Sequence, residues 1–301
     1  MAVTLKQIEA FVWIADLGSF RAAAERLNTT QPNISARIAA LEGALNVSLM
    51  ERDAGSVRLT ARGRDLLDHA RAVLRQVDGL IEASGEAGLY DGTIRLGVTE
   101  LIANTWLRDF LRAFSEAYPK ISVELTVDMS ANLEEELFSH RIDLALQNGP
   151  FSRIATGHME IGRYPLIWCA SPRLKLQDRG NLTAADLTAH PILTHARGAR
   201  QHSEIALHFS EAGEPVRLVP SSTLSAGIQM AVNAMGVVAV PAALVLRELN
   251  AGELVELDYA WHPGTLDFAA RYDARTAPSY LARAAEIARE TALGHDWPAL
   301  P

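Results

Sequence analysis

A chain of 301 residues that is 49% hydrophobic and 21% charged can bury more than one core, which excludes a long disordered polymer and predicts two or three globular domains. The formal net charge of −8 excludes a protein that coats nucleic acid along its whole length and confines any such contact to one segment. Cys169 is the only cysteine, which excludes an internal disulfide and a cysteine-built zinc cluster.

Leu5, Ile8, Phe11, Val12 and Ala15 recur at helical spacing and predict an amphipathic helix over residues 4–17. Gly18 ends it, because glycine takes the left-handed cap conformation cheaply. Ser19 can cap a second helix from Phe20 to about Leu27, and Asn28 and Thr29 form a short turn. Thr30 caps a third helix, with Pro32 in its first turn, where a missing N–H costs nothing.

Along that third helix Ile34, Ile38, Leu41 and Leu45 make one apolar stripe. Pro32, Ala36, Ala39, Ala40 and Gly43 leave the opposite face free of bulk. A helix with one greasy stripe and one slim face can enter the DNA major groove. Gln31 and Asn33 can bond adenine or phosphate, Ser35 can donate or accept, and Pro32 and Ala36 can touch thymine methyls. The free N–H groups of the first turn can face phosphate. Helix, three-residue turn, helix is the helix-turn-helix spacing. A bare three-helix packing unit, with its Asn and Ser solvated, has the same pattern.

The next segment favours DNA. Residues 47–60 read as two short strands around a glycine-containing turn, a wing that would carry Arg52 and Arg58 against phosphates or a minor groove. Up to Asp65 eight Lys/Arg stand against seven Asp/Glu, so this segment is slightly positive and the rest of the chain is nine charges negative. Strong salt dependence of DNA binding follows.

Residues 5–64 resemble the DNA-binding domain of the LysR-type transcriptional regulators. The resemblance runs without gaps through "GSF", "AA-RL", "-TQP-IS-RI--LE--L", "L--R" and "LT--G". It implies that Gln31, Pro32, Asn33 and Ser35 stand at the family's DNA-reading positions; Thr30, Arg37, Arg52 and Arg58 complete the candidate DNA-binding set. This chain departs from the pattern at Ala36, where the family usually has Arg, and at Gly55, where the wing often carries a second arginine. Both predict weaker phosphate anchoring per subunit.

Leu66, Ala70, Val73, Val77 and Leu80 step by four and three, with Leu67, Leu74 and Ile81 widening the seam. Such a helix needs a partner, either its own C-terminal domain or a second copy, and the sustained heptad favours self-pairing. The resemblance agrees: it implies dimerisation through a linker helix, an interrupted palindromic site and a dimer-of-dimers tetramer that bends DNA. "ASGEAGLYDG", residues 83–92, reads as a glycine-rich hinge.

Beyond it, strand, helix, strand, helix, strand ("GTIRLGV", "TWLRDFLRAFSEAYP", "ISVELTVDM", "ANLEEELFSHR", "IDLALQN") argue a parallel α/β sheet, and a second α/β unit follows. The order resembles the family's two-lobed effector domain, which is related to periplasmic binding proteins. The expected division is 1–64 for the winged helix-turn-helix, 65–89 for linker and hinge, and 90–301 for the effector domain. Lobe one takes 90–161 and 266–301 and lobe two 162–265, with crossings near Ile161 and Trp261. The ligand cleft is expected between the lobes, at strand ends.

The candidate cleft residues are Thr99, Ser130, Asn132, Gln147, Asn148, Thr194, His195, Arg197, Ser222 and Thr223, with Ser221 beside them. Each alone reads as an ordinary cap or loop polar residue; together they predict a cleft. Thr99 stands where the family commonly uses a hydroxyl to hold ligand, whereas the second such position carries Leu101. Ser130 and Asn132 precede a helix, and His195 and Arg197 with two helix N-termini point to a small carboxylate, against which Glu100 and Leu101 count.

No metal spacing, P-loop, dinucleotide fingerprint or nucleophile elbow occurs, and Cys169 in "LIWCAS" reads as a buried, inert thiol, so no cofactor and no enzyme is expected. The longest apolar stretch, 228–246, is broken by Gln229, Asn233, Gly236 and Pro241, and the N-terminus has no signal-peptide run. The expectation is a cytoplasmic, ligand-responsive regulator whose partners are double-stranded DNA, a small effector, itself and RNA polymerase, with no membrane. The alternative is a two-lobed solute-binding module or enzyme that keeps the N-terminal domain only for assembly.

Overall fold

The computed structural model describes residues 3–53, 56–83, 90, 92–275 and 277–295. Gly55 in the turn of the wing, most of the glycine-rich hinge and the side chain of Arg52 lie outside the described residues.

The N-terminal unit is built as its caps dictate. Helix α1 (Leu5–Leu17) stops at Gly18, whose φ of 62° lies in the left-handed region. Helix α2 (Phe20–Arg26) starts where Ser19 Oγ accepts from Ala22 N at 3.3 Å. Helix α3 (Gln31–Leu45) starts where Thr30 Oγ1 accepts from Asn33 N at 3.4 Å. Ile34, Ile38 and Leu41 are buried against Phe11, Ile14 and Ala23. Leu45 departs from the expected stripe and is 41% exposed. The helix ends there, at Asn46 with φ 53°, and its last turn extends past the core.

Strands β1 (Met50–Asp53) and β2 (Ser56–Leu59) form the antiparallel wing, with Glu51 opposite Arg58 and Arg52 opposite Val57. Glu42 of α3 anchors it, its Oε1 accepting from Leu49 N at 2.7 Å and Met50 N at 3.2 Å. Gly63, in the first turn of helix α4 (Ala61–Ala83), passes so close to Leu49 that an added Cβ would lie 2.2 Å from the carbonyl oxygen.

Helix α4 divides its seam. Leu66, Leu67 and Ala70 pack on the N-terminal core, and Ile81 packs on the C-terminal core. Val73 and Leu80 stay exposed, Leu80 by 72%. The expectation of one uninterrupted seam is therefore corrected. A single-domain core fixes one end of the helix and the effector domain the other, so the apolar residues serve three different surfaces.

Two five-stranded sheets follow. The elements of the first are β3 (Gly92–Val98), α5 (Glu100–Asn104), α6 (Leu107–Ala117), β4 (Ile121–Val127), α7 (Ser130–Phe138), β5 (Leu144–Asn148) and β6 (Gly157–Tyr164). The second has β7 (Leu166–Ala170), α8 (Ala184–Thr188), β8 (Ile192–Thr194), α9 (Arg200–Glu211), β9 (Leu218–Pro220), α10 (Leu224–Val232), β10 (Val237–Pro241), α11 (Ala242–Asn250) and β11 (Val255–Glu256). The chain then returns through β12 (Leu266–Tyr272) and ends on α12 (Ser279–Leu293). The strand orders are β4-β3-β5-β12-β6 and β11-β7-β10-β8-β9. Within each, the strands joined by helical crossovers are parallel: β3 with β4 and β5, and β8 with β9 and β10.

The crossing into the second sheet falls at Pro165, between β6 and β7, and not near Ile161. Strand β6 keeps pairing with β12 as far as Tyr164, whose partner is Leu266. Tyr164 is buried beside the crossing, and its hydroxyl accepts from Trp106 Nε1 at 2.8 Å. Cys169 is fully buried on β7, and burial pushes its thiol pKa far up, so the thiol stays protonated and unreactive.

Candidate DNA-binding surface and effector cleft

On α3 the buried stripe turns the opposite face outward. Gln31, Pro32, Asn33, Ala36, Ala39 and Ala40 are exposed, and Ser35 is half-buried at their margin. Thr30 is committed to its cap, and Asn33 Nδ2 donates to Thr29 Oγ1 at 2.9 Å, which orients its amide at the helix start. Arg37 is half-buried beside Glu9 of α1: burial raises the Glu9 carboxyl pKa, and Arg37 pulls it back. Arg58 is exposed on β2, and Arg52 lies on the neighbouring strand.

Arg26 carries a contact that no local sequence signal marks. Its guanidinium lies over the Trp13 ring at 4.4 Å and pairs with Asp143 of the effector domain, Nη2 to Oδ1, at 2.5 Å. The "AA-RL" motif placed an arginine there, but nothing local indicates a partner 117 residues away.

In the effector domain the candidates separate. Gln147 is fully buried, and in the amide orientation that satisfies its neighbours it donates to Ser130 O at 2.9 Å and accepts from Arg271 Nη1 at 2.7 Å. It therefore packs the sheet against α7, and its amide is spent on the protein, which corrects its place among the candidate cleft residues. Arg271, 1% exposed, pairs with Glu134 at 2.7 Å. Burial pushes the Glu134 carboxyl upward, but hydrogen bonds from Ser152, Arg271 and Arg153 outweigh it and leave its pKa below the ordinary value. Removing one partner of such a pair costs about 3–5 kcal/mol, so these residues are held by stability.

Ser130 and Asn132 lie inside the first turn of α7, whose cap residue is Met129; the helix starts earlier than the sequence indicated. Ser130 Oγ donates to Asn148 Oδ1 at 2.9 Å and accepts from Asn148 N at 3.1 Å. Asn132 Nδ2 donates to Asp128 Oδ1 at 2.8 Å, and the same oxygen accepts from Met129 N at 2.7 Å.

A second group surrounds the start of α10. Thr223 caps that helix, its Oγ1 accepting from Ala226 N at 3.4 Å, while Ser221 Oγ donates to Thr223 O at 2.8 Å and Ser222 is exposed. The next two N–H groups are taken by Glu100 of α5. Its Oε2 accepts from Leu224 N at 2.6 Å and its Oε1 from Ser225 N at 2.9 Å. Asn104 Nδ2 adds a bond to Ser225 Oγ at 3.2 Å. At the end of β8, Thr194 Oγ1 bonds His202 Nδ1 at 2.9 Å. His195 has both ring nitrogens buried without a protein partner, as has the hydroxyl of Thr99 and the Nε2 of Gln201. Burial pushes the His195 pKa down to about 4 against the upward pull of Glu100, with His202 lowering it further, so the ring is neutral at physiological pH. Arg197 is exposed. Glu100 and Asn104 each meet residues more than a hundred positions away, which no local sequence signal marks.

A winged helix-turn-helix with an exposed slim face, joined to two α/β lobes, defines a DNA-binding regulator with an effector-binding domain. Residues 5–64 match the family described as bacterial regulatory helix-turn-helix protein, lysR family, and residues 87–292 match the LysR substrate binding domain. The chain belongs to the LysR family of transcriptional regulators. It is 30% identical over 304 residues to the SDS degradation transcriptional activation protein of Pseudomonas sp. (strain ATCC 19151), covering 97% of this chain and 96% of that protein. Its fold is similar to that of ArgP from Mycobacterium tuberculosis, with a TM-score of 0.63 at 21% identity over 96% of this chain and 97% of that one. It is also similar to full-length CbnR in complex with its target DNA, at a TM-score of 0.52 and 23% identity over 96% and 99% of the two chains. These relatives are regulators and not enzymes, and that sets aside the enzyme alternative. Among the described residues no helix is long and apolar enough to cross a membrane.

Proposed function

We propose that this regulator binds an interrupted palindromic operator through α3 and the wing, and answers to a small molecule held between its lobes. Residues 1–64 read DNA, 65–89 link and dimerise, and 90–301 sense the effector. The observation that carries this reading is the exposure of Gln31, Pro32, Asn33 and Ala36 over a buried Ile34, Ile38 and Leu41. Thr30, Ser35, Arg37, Arg52 and Arg58 complete the DNA-facing set. The complex of CbnR with its target DNA supports the same use of the fold.

Two copies paired along the exposed part of α4 would hold two recognition helices apart, and a dimer of dimers would bend the DNA between two such sites. A DNA partner places the protein in the cytoplasm, and regulation at a promoter brings it to RNA polymerase. Thr99, Thr194, His195 and Thr223 are the residues proposed to hold the effector between the lobes. Of the grounds for a carboxylate effector, His195 is neutral, Arg197 is exposed, and the start of α10 holds Glu100.

Fluorescence anisotropy with the DNA upstream of its own gene, at two salt concentrations, tests the reading. Saturable binding that outcompetes random duplex and weakens steeply with salt is expected. Equal affinity for both duplexes would overturn operator recognition.

A further inference from the structure

The N-terminus of α10, in lobe two, meets α5 of lobe one, so its first N–H groups lie at the boundary between the lobes. In an interlobe cleft that end is the natural seat for an anionic ligand. Here it is already filled from across the cleft, by a bidentate carboxylate that belongs to the chain itself. Glu100 spans 124 and 125 residues to reach Leu224 N and Ser225 N, and Asn104 on the same short helix bonds Ser225 Oγ. With Ala226 N taken by the Thr223 cap, three consecutive donors of α10 are satisfied.

The polar atoms left without partners are of another kind. The Thr99 hydroxyl adjoins Glu100, on a residue 7% exposed. His195, within electrostatic reach of Glu100, offers one donor and one acceptor nitrogen, both buried. The Gln201 Nε2 is a donor on a residue 3% exposed, one position before His202, which bonds Thr194. Buried polar atoms without partners are rare, because each costs a lost hydrogen bond to water, so such atoms beside Glu100 and beside the Thr194–His202 bond mark where a ligand would supply the bonds. None of the three carries a formal charge: Arg197 is exposed, Arg200 is paired with Glu204 and bonds Thr265 O, and Glu100 is an anion.

We propose that Glu100 is a built-in carboxylate that occupies the anion seat of the cleft and restricts the effector to uncharged, hydrogen-bonding molecules. This rests on the reading of the cleft as the effector site. A ligand carboxylate would have to displace Glu100 from two charge-assisted bonds and would then face it at close range. A hydroxyl or amide would meet neither obstacle.

Benzoate and its neutral isostere benzamide test this by isothermal titration calorimetry against the full-length protein, its Glu100→Ala variant and its Glu100→Gln variant. The wild type is expected to prefer benzamide by roughly tenfold or more, and Glu100→Ala to reverse the order by gaining roughly ten- to hundredfold for benzoate. Glu100→Gln keeps the side-chain shape, secures the test if the alanine variant unfolds, and is expected to lose the discrimination against benzoate. A wild type that prefers benzoate overturns the proposal. So does a preference, or an absence of benzoate binding, that neither substitution changes. Operator anisotropy on the same samples separates the two levels. Reversal of ligand preference with no effect of either ligand on DNA binding would sink the effector reading and leave the role of Glu100 standing.

Discussion

Arg26 in the second helix of the DNA-binding domain is bonded to Asp143 at the start of a strand of lobe one, with Nη1 to Oδ2 at 3.1 Å and Nη2 to Oδ1 at 2.5 Å. Both side chains are nearly buried, 11% and 6% exposed, and Asp143 Oδ2 also accepts from Arg95 N at 2.9 Å. The pair ties the two domains together at the opposite end of the strand from Asn148. Arg26→Ala leaves the Asp143 carboxylate with one partner fewer in a dry site, and a loss of about 2 kcal/mol in urea unfolding is expected. Faster hydrogen exchange in α2 should accompany it. An unchanged unfolding midpoint would show that the pair contributes nothing in solution.

Ser35 and Arg58 should fail differently on DNA. Ser35→Ala removes one donor and acceptor beside the slim face, and is expected to weaken operator binding roughly five- to tenfold while sparing random duplex. Arg58→Ala removes an exposed charge from the wing and should weaken all duplexes alike, reducing the salt slope by about 1. Anisotropy titrations over a salt series read both. A loss from Ser35→Ala that is the same on both duplexes counts against base reading, and an unchanged slope for Arg58→Ala rules out its phosphate contact.

Leu80 tests the pairing of α4. It is 72% exposed on a helix whose neighbouring apolar residues are already packed at both ends. Leu80→Glu should shift sedimentation toward the monomer and lose most operator affinity, because two half-sites then bind independently. Sedimentation that matches the wild type would place the self-association surface elsewhere.

His195 gives a pH signature. Its ordinary pKa of 6.5 falls to about 4 in the folded chain because burial disfavours the charged ring. Between these values the unfolded chain binds more protons, so stability is fully present above pH 6.5 and drains away as pH falls toward 4. His195→Asn should flatten the dependence of the urea midpoint on pH across that window. A slope that survives the substitution would assign the effect to other groups.

Much of this could be read along the chain because the physics was local. Glycine at 18, serine at 19 and threonine at 30 act on N–H groups within a few residues, so helix limits in the first domain follow from neighbours. The strand and helix alternation after residue 92 was legible for the same reason. The heptad of α4 was visible as a pattern, but a pattern of apolar residues does not say which of three surfaces each one covers.

What the sequence by itself determined, then, is the order of elements, the slim outward face of α3 and the family. Only tertiary structure decided that Gln147 is spent on Ser130 and Arg271, that Arg26 reaches Asp143, and that Glu100 fills the start of α10. Caps and periodicities act over one or two turns, whereas these bonds join separate elements, most of them more than a hundred positions apart. Their energies depend on burial and direction, which exist only once the chain has folded.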